Sequence, residues 1–124
     1  MAARILIVDD HAGFRSMARR LLVAADYDVV GEAADGTEAI HEVRALRPDV
    51  VLLDIQLPDV DGFQVAQALS AQREPPVVVL VSSRARADYG TRIADSGVRG
   101  FIGKADLSAN ALRSLLRGTG GAHP

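Results

Sequence analysis

Residues 48–62 read Pro48-Asp49-Val50-Val51-Leu52-Leu53-Asp54-Ile55-Gln56-Leu57-Pro58-Asp59-Val60-Asp61-Gly62. Pro48 and Asp49 close the segment before them. Val50 to Leu53 is an apolar run of strand length, suited to burial on both faces of a sheet. A carboxylate follows at Asp54, where the strand gives out, and then a turn with two acids, a proline and a glycine. In an open parallel sheet, ligands sit outside the carboxyl ends of the strands, so a reacting group is expected at Asp54. A strand-end aspartate that only caps a loop has the same local pattern, and the choice rests on its partners elsewhere.

Upstream, Ile5 to Val8 is a second apolar run, ending at Asp9-Asp10. Phe14, Met17, Ala18, Leu21, Leu22 and Ala25 then recur at helical spacing, with Arg15, Arg19 and Arg20 on the opposite side. Val29 to Ala34 is a weaker strand interrupted by Gly31. Asp35 and Glu38 form a capping pair for a helix that turns Ala39, Ile40, Val43 and Leu46 inward. Downstream, Asp61-Gly62 opens a helix with Phe63, Ala66 and Leu69 on one face. Val77 to Val81 is a β-branched strand that ends at Ser82-Ser83. Ala87 to Ser96 is a poor helix containing Gly90, with Tyr89, Ile93 and Ala94 able to face inward. Arg99 to Ile102 is a short strand followed by Gly103-Lys104. Ser108 caps a last helix with Leu107 as a staple to Leu112 and with Ala111, Leu112, Leu115 and Leu116 buried. Gly118 stops it.

Strand and helix alternate five times, which implies a parallel sheet covered on both faces. The expected organisation is one domain over 1–118 and a flexible tail or linker start over 119–124. Composition agrees with a globular unit: 124 residues, 48% hydrophobic and 24% charged. A net charge of −2, with no basic block and no zinc-ligand spacing, gives no reason to expect direct nucleic-acid contact. The absence of cysteine excludes disulfides and thiol catalysis. With a strand pattern by Ile5, neither a signal peptide nor a membrane span is expected, and a cytoplasmic location follows.

The polar residues that end the strands are Asp9 and Asp10, Asp54 and Ser82, with Lys104 after the fifth strand. A parallel sheet brings those ends to one rim. Three carboxylates gathered there repel each other, and a divalent cation relieves the repulsion; all-oxygen donors suit Mg²⁺. Lys104 is the only lysine beside thirteen arginines. An acid nucleophile, a metal, an ammonium and a hydroxyl are the parts that phosphoryl transfer uses, because its transition state spreads charge over the phosphoryl oxygens.

With these marks in order, the chain resembles the receiver domain of two-component response regulators from Ile5 to about Arg117. The resemblance is carried by Asp9-Asp10, the Asp54 to Gly62 segment, Ser82, and Gly100-Phe101 leading to Lys104. It implies an α/β, flavodoxin-like three-layer sandwich with a five-stranded parallel sheet of order 2-1-3-4-5 and five helices. It further implies that Asp54 accepts a phosphoryl group from a histidine kinase. Asp10, Asp54 and the Gln56 carbonyl would ligate Mg²⁺, with Asp9 acting mainly through water. Lys104 would pair with the phosphoryl oxygens, Ser82 would move toward them, and Phe101 would turn into the space left behind. The face formed by Arg86, Tyr89, Ile93, Arg99, Asn110 and Arg113 corresponds to one on which many receivers dimerise.

Several positions depart from the family's pattern. Two serines end the fourth strand, and spacing to Lys104 favours Ser82 over Ser83. Ala105 replaces a common proline, so a trans bond is expected there, as in receivers joined to a helix-turn-helix output domain. Gly103 stands where an aliphatic residue is common, and Gln56 and Arg84 occupy positions that affect phosphoryl lifetime. The leading reading is a signalling switch, either the receiver of a transcriptional regulator or a stand-alone phosphorelay or adaptor protein. A Mg²⁺-dependent phosphatase similar to the haloacid dehalogenase group is a second reading, with its nucleophile at the end of the first strand. A receiver fold that serves only as a binding module is a third.

Overall fold

The computed structural model describes residues 2–117. The expected tail over 119–124 and the Gly118 stop lie outside the described residues. Within them, β1 (Arg4–Val8), β2 (Asp28–Ala33), β3 (Val50–Asp54), β4 (Val77–Ser82) and β5 (Gly100–Gly103) form one parallel sheet of order 2-1-3-4-5. The helices are α1 (Ala12–Ala24), α2 (Gly36–Leu46), α3 (Gly62–Ser70), α4 (Arg92–Asp95) and α5 (Ala109–Leu116). This is the expected flavodoxin-like sandwich.

Because side chains alternate along a strand, each central strand serves two cores. Val51 and Leu53 of β3 join Ala39 and Val43 of α2, Val65, Ala66 and Leu69 of α3, and Ile93 of α4. Val50 and Leu52 join Ala18 and Leu22 of α1 and Leu112 of α5 on the other face. All five residues of β3 are buried, so the strand that carries Asp54 is the best-anchored part of the rim. Each Leu or Val so buried contributes roughly 1.5–3 kcal/mol.

Local details follow from sequence. The β1–β2 register slips between Ile5, which faces Val29, and Leu6, which faces Gly31. A side chain on Gly31 would lie 2.7 Å from Leu46 Cδ1, so the glycine lets the end of α2 close onto the sheet. Asp35 caps α2 by accepting from Glu38 N, as expected, and Glu38 reaches back to Ala34 N. Asp61 and Gln64 form a full capping box for α3. Ser108 caps α5 by accepting from Ala111 N. No cis peptide bond occurs among the described residues, which includes the bond to Ala105.

Three expectations need correction and one is extended. Arg15 and Arg19 do not simply face solvent: both bond Glu32 of β2, at 3.0 and 2.6 Å, and tie α1 to the edge strand. Chiefly through the Arg19 hydrogen bond, the pair holds the Glu32 carboxyl below its usual range. Val65 joins Ala66 and Leu69 in the buried face of α3; Phe63 packs against the same core but stays half-buried beneath the Arg92 guanidinium, 4.2 Å from its ring centre. The segment 87–96 is not one helix but a 3-10 turn, Arg86–Tyr89, and the single-turn α4, divided at Gly90 with φ +57. Ile93 of α4 is buried and Ala94 is exposed.

Candidate functional site

Asp9 follows the last residue of β1, Asp54 is the last residue of β3, and Lys104 follows the last residue of β5. Their side chains meet. Lys104 Nζ lies 2.6 Å from Asp9 Oδ2 and 3.3 Å from Asp54 Oδ2, and 4.8 Å from the centre of the Phe14 ring on α1. The ammonium therefore bridges two carboxylates that come from different strands, one after β1 and one ending β3. Asp9 and Asp54 are buried, whereas Asp10 is partly open to solvent.

Each carboxylate is also held locally. Asp9 Oδ1 accepts from His11 N at 2.8 Å, and Asp54 Oδ1 accepts from Gln56 N at 3.1 Å. Burial pushes the Asp54 carboxyl up; the Gln56 N–H opposes this, the Asp9 charge adds to it, and Lys104 opposes it, leaving a net rise. Burial works to lower the Lys104 ammonium, but the bond to Asp9 and the charges of both acids outweigh it and raise the group. Two buried anions on one ammonium leave the site negative.

That surplus bears on the expected cation. Asp9, Asp10, His11 and Asp54 each present a ligand atom, all within 4.8 Å of one another. Asp9 Oδ2 is buried, and the Lys104 ammonium at 2.6 Å is its one ion-pair partner among the described residues. Clustered carboxylate oxygens whose charge one ammonium does not balance fit a hard divalent cation, and they fit Mg²⁺ in the donor type they offer. His11 is a member that sequence reading passed over; its Nδ1 is 3.1 Å from Asp10 Oδ1 and 3.3 Å from Asp9 Oδ1. Its place directly after the acid pair was the available signal.

Ser82, the last residue of β4, is fully buried, while Ser83 is exposed. Its Oγ accepts from Arg84 N at 3.0 Å and lies 2.6 Å from the Tyr89 hydroxyl. Phe101 on β5 is half-buried against the core on the α2–α3 side, its ring centre 6.2 Å from that of Tyr89. The structure brings Asp9, Asp10, Asp54 and Lys104 together. Ser82 lies on the neighbouring strand, one residue beyond Val81, the partner of Asp54. Gln56 is exposed in the turn, with its N–H on Asp54. Tyr89 and Ile93 face inward, as their spacing allowed, and so contribute little to the partner face on which the resemblance also placed them.

The loop that leaves Asp54 is fastened by Asp59. This carboxylate accepts from Gly36 N, Thr37 N, Thr37 Oγ1 and Val60 N, all within 2.9 Å, and so caps the start of α2 from a distance. These donors, the Gly36 N–H first, hold the carboxyl well below the carboxylate range. A depressed folded-state value contributes stability that is present above the unfolded value of about 3.9 and lost as pH falls through the folded one. Asp59→Asn is therefore expected to unfold at a lower temperature than the parent at pH 7, with the gap narrowing below about pH 4. Thermal unfolding at pH 7 and pH 3 checks it.

Residues 5–117 match the family described as the response regulator receiver domain. Over 110 residues the chain is 31% identical to the DNA-binding transcriptional activator EvgA of Escherichia coli (strain K12), covering 89% of this chain and 54% of that protein. Over 86 residues it is 50% identical to protein-glutamate methylesterase/protein-glutamine glutaminase 6 of Anaeromyxobacter dehalogenans, covering 68% of this chain and 25% of that one. The signal receiver domain of NarL from Mycobacterium tuberculosis superposes with a TM-score of 0.81 at 33% identity, over 92% of this chain and 96% of that chain. The chain thus spans about half the length of one of these full-length relatives and a quarter of the other.

Proposed function

The chain belongs to the response regulator receiver domain family of two-component systems, and from that premise we propose that Asp54 is its phosphoacceptor, taking the group from the phosphohistidine of a histidine kinase. The observation that carries the proposal is the Lys104 ammonium bridging Asp54 and Asp9 at the rim where the acid pair also stands. An Asp54 carboxylate oxygen forms the new P–O bond while the P–N bond of the donor breaks, and its electron pair returns to the imidazole nitrogen. Mg²⁺, held by Asp9, Asp10, Asp54 and the Gln56 carbonyl, would supply neutralising charge to the phosphoryl oxygens. Lys104 adds a second positive charge from a position already on the Asp54 carboxylate. Ser82 offers a hydroxyl donor from the next strand, and Phe101 would turn into the space that its movement leaves.

In this reading the chain works as a switch rather than as a turnover enzyme, and the aspartyl phosphate is its signalling state. The phosphatase reading would need Asp9 as nucleophile with a second acid two residues on, and His11 stands at that place. The kinase is the first partner. A second copy of the chain is proposed to meet Arg86, Arg99, Asn110 and Arg113 along α4, β5 and α5, all exposed. Similarity to a DNA-binding activator supports a role as the receiver of a transcriptional regulator acting in the cytoplasm, with DNA contact made outside this domain. Among the described residues, no helix is long and apolar enough to cross a membrane.

Intact mass after incubation with Mg²⁺ and a small phosphodonor tests the assignment. One phosphoryl group is expected, absent in Asp54→Ala and absent when the metal is chelated. A phosphoryl group found on Asp9, or none from several donors, would overturn it.

A further inference from the structure

The Ser82 hydroxyl is already occupied. Arg84 N donates to it at 3.0 Å and the Tyr89 hydroxyl shares a hydrogen with it at 2.6 Å; among the described residues none of its hydrogen bonds reaches Asp54. Tyr89 is seated by its ring as well, edge-on to Phe63 with centres 5.8 Å apart and tilted against Phe101. From Ser83 to Arg92, every residue except Tyr89 is exposed. One inward side chain thus anchors a ten-residue segment. The segment turns at Gly90, where φ is +57 and a side chain would meet nothing within 4 Å. At its far end Arg92 reaches only the outer side of α3, through Asp61 and the Phe63 ring.

We propose that Tyr89 is a positioning residue for phosphoryl transfer: its hydroxyl latches Ser82 away from Asp54, and a phosphoryl group on Asp54 takes Ser82 from it. This rests on the reading of Asp54 as the phosphoacceptor. A phosphoryl oxygen is a charged acceptor, and hydrogen bonds to ionised groups are roughly twice as strong as neutral ones, so it wins the competition for the serine. Tyr89 then holds a half-buried hydroxyl whose partner has gone, an arrangement that a phenol leaves by moving toward water. Its departure releases the 83–92 segment. Phe101 carries no polar atom and senses Ser82 only by shape, so the hydrogen-bonded report of the site's state passes through Tyr89.

Tyr89→Phe keeps both ring contacts and removes only the oxygen. It is expected to take phosphate from a small phosphodonor about fivefold faster than the parent, the worth of one neutral hydrogen bond. The same substitution in a Ser82→Ala background is expected to change nothing, because the group it restrains is gone. The chain has two tyrosines, and Tyr27 lies at the opposite end of the sheet, beside Pro48 and Pro76. Ring-labelled tyrosine therefore gives two NMR signals; the one absent in Tyr89→Phe is expected to shift on phosphorylation while the other stays. A parent that gains phosphate on Asp54 with neither signal moving would overturn the latch and leave the phosphoacceptor assignment intact. So would a Tyr89→Phe rate equal to or below the parent's, or the same acceleration with and without Ser82. A parent that gains no phosphate overturns both.

Discussion

Gly62→Ala is expected to lose about 3 kcal/mol of stability, a large share of what a domain of this size has. Gly62 begins α3 directly after the Asp61 cap, and its N–H bonds the Ile55 carbonyl at 2.7 Å. A methyl group there would stand 2.5 Å from the Asp54 carbonyl oxygen and 2.7 Å from Ile55 Cα. Both neighbours are main chain, so no side chain can swing aside, and the loop or the end of β3 must move. The displaced peptide belongs to Asp54, so phosphate uptake should fall together with stability. Gly13→Ala is the control. It lies in α1 with nothing within 4 Å of the added carbon, and it should stabilise by roughly 0.5–1 kcal/mol by removing a glycine from a helix. Denaturant midpoints for the two variants should move in opposite directions.

Lys104→Met removes the one ammonium from two buried carboxylates. Stability at pH 7 is expected to drop by about 2 kcal/mol, below the usual range for a broken buried pair because a carboxyl at this rim can take up a proton. The direction with pH follows from Asp54. Burial already raises it in the folded protein, and loss of Lys104 raises it further. A raised folded-state value contributes stability that is fully present below the unfolded value, about 3.9, and lost as pH rises through the folded one. The deficit of the variant should therefore grow from pH 4 upward and nearly vanish at pH 3. Added Mg²⁺ should reduce it at pH 7, since a ligand of the folded state alone stabilises by mass action. Phosphate uptake should slow by about 10²-fold, the usual loss when one donor to developing charge is removed. Unfolding curves across pH, with and without Mg²⁺, and the rate of mass gain read these effects separately. A variant as stable as the parent at pH 7 would mean that Lys104 does not neutralise this pair.

Much of this was legible because the chain is locally consistent. β3 and β4 are apolar runs of the right length, and every residue of β3 is buried. The caps at Asp35, Asp61 and Ser108 all accept the hydrogen bonds that their spacing predicts. The segment around Gly90 was hard to read for the opposite reason. It buries little, its glycine has a positive φ, and its inward pair Tyr89 and Ile93 keeps helical spacing although the helix is broken between them. Asp59 was read only as part of a turn; its bonds to Gly36 and Thr37 span more than twenty residues and leave no local pattern.

Composition, strand length and cap spacing determined the layered parallel sheet, because hydrophobic period and turn chemistry are properties of short stretches of chain. The order of the acidic, hydroxyl and lysine positions determined which rim would carry the chemistry. Only the tertiary structure decided who touches whom there: Lys104 across both Asp9 and Asp54, Arg15 and Arg19 on Glu32, and Tyr89 on Ser82. Those contacts depend on angles between packed elements and on which side chain reaches a vacant hydrogen bond first, and neither quantity is encoded at any single place along the chain.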